Sequence, residues 1–283
     1  MSEPTRPTSP IGGRAQAPGP PLVRQQRMLL ATLLGLAAAG WAVLVWQANR
    51  PDMAMGDQEG EMAMGAPSTL DLTAGMSAGL FLAMWVAMMA AMMFPTAAPM
   101  VLMFARVHAG KRRRGQSFVP TWVFTGAYLA LWTAFGALAY LLATAASGRL
   151  GQSEWLAGNA ARLAAAAIVL AGVYQLTPLK RVCLRHCRSP LAFVTQHWRE
   201  GRAGSFLMGL QHGMYCLGCC WLLFVLLFPI GVMNLAAMLL ITALIFAEKV
   251  LPAGERTARV AAAALIGYGA LVLVLPAALP VSA

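Results

Sequence analysis

The sequence predicts an all-α fold, a polytopic helical membrane protein, and three observations predict it. Of 283 residues, 59% are hydrophobic and only 11% are charged, with a mean hydropathy of +0.65. A water-soluble domain of this length needs roughly a quarter of its residues charged. The apolar residues gather into runs close to the ~20 positions that a helix needs to cross the hydrocarbon layer. With the N-terminus cytoplasmic, all of the 21 Lys and Arg residues except Arg50, Arg149 and Arg162 fall on the inner side, as the positive-inside rule requires. The net charge of +11 is therefore read as a topology signal and a contact for anionic lipid. Nucleic acid is not an expected partner.

Taken in order, residues 1–27 are rich in Pro, Gly, Ser and Arg and read as a disordered cytoplasmic tail. A cleaved signal peptide fits poorly, because the basic region is long and the apolar run ends in Trp46 and Gln47 without a small-residue cleavage site. The first span covers 28–46, and an acidic, Met-rich outer loop follows at 47–75. Residues 76–250 form the membrane core, with spans near 76–105, 119–146, 160–179, 206–228 and 230–247. A cytoplasmic turn and a last span near 260–278 make up 251–283. The total is about seven spans, two of them joined by a tight turn at 229–231.

The chemistry-bearing residues are sulfur and imidazole. His212, Cys216, Cys219 and Cys220 lie inside one apolar run. In a helix Met208, His212, Cys216 and Cys219 step by four, four and three residues, so they share one stripe with Tyr215 beside it. Such groups in hydrocarbon must find a partner. Met84, Met88 and Met92 make a second ladder, with Met89 and Met93 starting a neighbouring one. By helical rise Met92 lies about 24 Å into its span, while His212 and Cys216 lie about 9 and 15 Å from the inner end of theirs. The two stripes can meet at similar depth. Pro95 and Pro99 are expected to kink the Met-rich span. The competing reading for each methionine is ordinary helix packing.

In the outer loop, Met53, Met55, Met62 and Met64 stand among Asp52, Asp57, Glu59 and Glu61. Thioethers are soft and uncharged, which suits Cu(I) outside the cell; the alternative is a low-complexity linker. In the inner loop, Cys183 and Cys187 with His186 form a second ligand group that could exchange metal with the intramembrane stripe; the competing reading is ordinary loop cysteines. Arg185 and Arg188 beside them are expected to favour thiolates. All five cysteines fall in this loop or the following span, which argues against extracytoplasmic disulfides. Asn234, Met238, Thr242 and Glu248 supply a third polar edge, with Glu248 and Lys249 read as an interfacial ion pair or part of an exit path.

The stretch from Met84 to Pro95, the run from Tyr174 through Cys183 and Cys187, and residues 209–221 continuing to Asn234 and Glu248–Lys249 together resemble one known family. This is the bacterial predicted metal-binding integral membrane proteins, domain of unknown function 2182. The resemblance covers about residues 76–250 and implies metal binding and an inner-membrane location. The Met-rich acidic loop before a Met-bearing span also looks like CTR-type copper transporters, in ligand logic alone.

These readings converge on a membrane metal-binding protein that binds, delivers or transports copper as Cu(I), with zinc the second choice. The expected partners are the lipid bilayer and a periplasmic or membrane cuproprotein or copper chaperone. Delivery is favoured over pumping, because no phosphate-binding Gly-x-x-x-x-Gly-Lys-Ser/Thr loop is present. The first alternative is a membrane thiol-disulfide oxidoreductase using Cys216 and Cys219, with Cys183 and Cys187 as the shuttle pair. The second is a non-catalytic assembly factor whose Cys and Met side chains only pack. No hydrolase motif occurs, and no enzymatic activity is expected.

Overall fold

A computed structural model describes residues 20–49, 76–115, 118–150, 153–230 and 234–275. The regular structure among them is helical: α1 (Pro20–Ala48), α2 (Ala78–Arg113), α3 (Thr121–Leu150), α4 (Glu154–Gln175), α5 (Pro178–Arg188), α6 (Pro190–Gln196), α7 (Gly201–Val225), α8 (Leu227–Ile230), α9 (Leu235–Val250) and α10 (Gly254–Val274). Every apolar run singled out in the sequence coincides with a helix. Among the described residues, five helices (α1, α2, α3, α7 and α10) are long and apolar enough to cross a membrane. The α4 run qualifies only jointly with α5, across a 63° bend, and α9 has 16 residues, short of a full crossing. α1 also begins at Pro20, so helix reaches back into the segment expected to be tail.

The largest departure lies between residues 178 and 200, where an inner loop was expected. The chain instead forms α5 and α6, folded back against the core. Thr177 caps α5, its side chain accepting from the Lys180 N–H, and Pro178 takes the first helical turn, where its missing N–H costs nothing. Lys180, Cys183, Leu184 and Cys187 are the buried residues of α5, spaced as one face of an amphipathic helix.

Small residues set how closely the long helices approach. α4 lies along α10, where a Cβ on Gly172 would meet Ile266 at 2.7 Å and one on Gly269 would meet Val169 at 2.7 Å. α3 lies along α7, and a Cβ on Gly209 would run into the Phe124 carbonyl oxygen. Close backbone approach of this kind drives helix association where no water is expelled. α2 is tied to α3 by the Trp85 Nε1–H, which donates to the Trp132 carbonyl at 2.9 Å. α2 runs on through Pro95 and Pro99. The outer faces stay apolar: Leu240 is 72% exposed and Val260 70%, the reverse of a water-facing surface.

At the start of α7, Gly201 adopts φ +76°, a left-handed conformation that favours glycine. The preceding Glu200 pairs with Lys111 at the end of α2 and accepts from Trp198 Nε1 at 2.8 Å. The Lys111 ammonium, and then the Trp198 N–H, hold the Glu200 carboxyl below its usual range. Because the folded value is depressed, the stabilisation is present above the ordinary carboxylate range and fades as pH falls through it. Glu200→Gln should therefore lower the thermal midpoint slightly near neutral pH and leave it unchanged at about pH 3. Thermal scans at the two pH values check this; an equal shift at both would assign the effect to packing.

Candidate metal centre

Cys216, Cys219 and Cys220 occupy positions i, i+3 and i+4 of α7 and so share one face. All three are buried, together with Cys183 and Cys187, in the core that also holds Met84, Met88, Met89, Met92 and Met93. Cys216 is the hub. Its Sγ lies 3.1 Å from the Tyr128 hydroxyl of α3, 3.0 Å from the Lys249 ammonium of α9 and 3.9 Å from the Met93 Sδ of α2. The Cys187 thiol of α5 is buried in the same core, close enough to Cys216 and Cys219 to interact with both electrostatically. Cys219 and Cys220 donate to the Cys216 carbonyl at 3.0 and 2.8 Å. Five helices thus supply one sulfur-rich locus.

Two expectations are corrected here. Cys183 and Cys187 do not form a separate group in an exposed loop. α5 turns both inward, Cys187 onto Cys216 and Cys183 onto Gly218, where an added Cβ would sit 2.7 Å from the Cys183 sulfur. The flanking arginines are engaged elsewhere: Arg185 pairs with Glu255 at 3.5 Å, and Arg188 donates to the carbonyls of Glu248 and Pro252. Nor do Glu248 and Lys249 pair with each other. Glu248 takes Lys180 at 2.7 Å, with both side chains buried, and Gln175 accepts from the same ammonium. Lys249 is left to face sulfur, 4.0 Å from Met93 Sδ as well as against Cys216.

The other sequence candidates fall around this hub. His212 is buried one turn before Cys216, its ring stacked near Phe124 and Tyr128 at 5.9 and 5.6 Å and edge-on to Phe193 at 5.5 Å. Its Nδ1 is buried without a partner, a polar atom left available. On α2 it is Met93, from the secondary ladder, whose sulfur touches Cys216; Met84, Met88, Met89 and Met92 line the same core. Met53, Met55, Met62 and Met64 lie outside the described residues. Asn234 caps α9 through the Ala237 N–H at 3.0 Å, and Thr242 donates to the Met238 carbonyl at 2.6 Å, so both serve the helix itself. Reasoning from sequence missed Tyr128 and Lys249.

Among the described residues, no three His, Cys, Asp or Glu side chains stand in metal-holding geometry. The hydrogen bonds give the reason: the Cys219 and Cys220 thiols point to a backbone carbonyl, and an ammonium stands over Cys216. The donor set nonetheless matches a soft cation, since thiolates and a thioether are the groups that select Cu(I). All five cysteines are free.

No curated protein and no solved structure matches this chain. One family profile does, that of PpoB2, a copper chaperone, over residues 82–272. The match takes in α2 from Leu82 onward, all the cysteines, Lys249 and most of α10, so it covers the whole sulfur locus and well over half of the sequence. The chain belongs to the PpoB2 copper chaperone family.

Proposed function

We propose that this protein is an integral membrane copper chaperone that holds Cu(I) at the Cys216 locus and passes it to a copper protein. On this reading the N-terminus is cytoplasmic, the α4–α5 unit and α9 complete about seven membrane-inserted segments, and the bacterial inner membrane is the location. The observation that carries the reading is the convergence of Cys187, Cys216, Cys219, Cys220 and Met93 in a buried, apolar setting. A chain that only needed to pack would not bring four thiols and an ammonium together there, because each buried polar group costs free energy unless it is satisfied. Family membership supports copper as the cargo.

The locus accounts for both holding and release. The Lys249 ammonium lies against the Met93 and Cys216 sulfur atoms, where a monovalent cation would sit. Arrival of Cu(I) displaces Lys249, and rotation of the Cys219 and Cys220 side chains off the Cys216 carbonyl brings further sulfur to the ion. His212 Nδ1, buried and unpartnered, adds a nitrogen donor on the same helical face. Return of Lys249 reverses the sequence when a partner takes the ion. The proposed role is binding and delivery rather than catalysis.

X-ray absorption on detergent-purified protein loaded with Cu(I) tests this directly. Sulfur neighbours at about 2.3 Å, the metal–thiolate distance, are the expected result. A shell of nitrogen and oxygen alone would overturn the reading.

A further inference from the structure

Two histidines outside the thiol locus lie side by side. His186 of α5 and His197, which caps the end of α6, have ring centres 6.0 Å apart. Each Nδ1 faces the backbone carbonyl four residues earlier, Val182 at 2.9 Å and Phe193 at 3.1 Å. A carbonyl only accepts, so each Nδ1 carries the hydrogen, and in the neutral ring the lone pair falls on Nε2. A backbone acceptor behind the ring is the support found behind metal-bound imidazoles, where it fixes tautomer and orientation. The rings are further braced by aromatic contacts. Tyr215 of α7 lies flat on His186, centroids 4.1 Å apart and planes within 4°, and Phe193 stacks on His197 at 4.7 Å.

The spacing and the donor count favour a soft monovalent ion. Two imidazoles bound to one ion through bonds of about 2 Å have ring centres about 5–6 Å apart; here the centres are 6.0 Å apart with the planes at 65°. Among the described residues no third His, Cys, Asp or Glu completes a metal-holding set. Zinc asks for four ligands, whereas monovalent copper accepts two neutral nitrogens. Both histidines are only half-buried, so an ion can reach them from outside. The pair also adjoins the sulfur locus: His186 precedes Cys187, and Tyr215 precedes Cys216.

We propose that His186 and His197 form a two-nitrogen Cu(I) relay site on the rim of the protein, which takes up the ion and hands it to Cys187. The proposal rests on the copper reading above and extends it to the route of loading. Transfer is ligand exchange: the ion stays monovalent, the Cys187 thiol gives up its proton as its sulfur binds, and the two imidazoles leave as neutral donors.

The test uses full-length protein in detergent and Cu(I) supplied as its bicinchoninate complex. The His186→Asn/His197→Asn variant keeps an amide N–H in place of each Nδ1–H. It should reach the wild-type content of sulfur-bound copper, but at about one-tenth of the rate or slower. A variant with Cys187, Cys216, Cys219 and Cys220 all changed to Ser should keep one Cu(I) with nitrogen neighbours, lost when the two Asn changes are added. Should the paired change impair folding, His197→Asn alone carries the rate measurement, since that ring lies outside the sulfur core. Wild-type loading by the histidine variant, or no histidine-dependent copper in the serine variant, overturns the relay while leaving sulfur-bound copper intact. Absence of sulfur-bound copper from every form overturns the copper reading and the relay together.

Discussion

Cys216→Ser should weaken Cu(I) binding by about 100-fold or more, read by competition with a chromophoric chelator. Loss of even a supporting contact to a metal ligand costs 10–100-fold, and Cys216 is the sulfur on which the others converge. It touches Tyr128, Lys249 and Met93, with Cys187 buried in the same core. Serine keeps the size and the hydrogen bonds but removes the soft donor, so the fold should survive while affinity does not. Cys183→Ser is the internal comparison. Its sulfur lies against Gly218 rather than on the hub, and its loss should change affinity less than about threefold. Equal losses in the two variants would mean that copper is not centred on Cys216.

The second large effect concerns stability. Lys180 and Glu248 have side chains only 1% and 2% exposed, and they join α5 to the end of α9. Lys180→Met leaves a buried carboxylate without its cation, a change that destabilises by about 3–5 kcal/mol. The double variant Lys180→Met/Glu248→Leu removes both charges and should recover most of that loss, because a buried pair adds little net stability over apolar side chains of similar size. Thermal unfolding in detergent separates the cases. If the double variant is no more stable than the single one, the pair is not what anchors α5. Gln175 Nε2 and Glu248 Oε1 are both buried without a partner, so the cluster is already polar beyond its own needs.

The helices were legible because apolar runs of near-spanning length have few other meanings, and each one became a helix. The stripe of Cys216, Cys219 and Cys220 was legible for the same reason: helical spacing fixes which side chains share a face. The fold-back of α5 and α6 was hidden by six basic residues between Lys180 and Arg202, which read as a cytoplasmic loop. A signal was present all the same. Lys180, Cys183, Leu184 and Cys187 stand at the offsets of an amphipathic helix, and that pattern alone points both cysteines inward. Lys249 was harder to place. A lysine at the end of an apolar helix ordinarily snorkels to the interface, but here the Lys249 side chain turns inward onto Cys216 and is only 8% exposed. The choice of Met93 over Met92 turns on one residue of helical phase, about 100°, which sequence spacing does not settle.

The ammonium over Cys216 has a consequence for which ions the site admits. On the copper reading, Cu(I) and the Lys249 ammonium each carry a single positive charge, so replacing one by the other beside Cys216 adds no charge at that contact. A zinc or calcium ion entering the same place would leave one surplus unit in a medium that screens poorly, at a cost of several kcal/mol. On that reading, valence would discriminate between ions before ligand softness does, through the ammonium that faces Cys216.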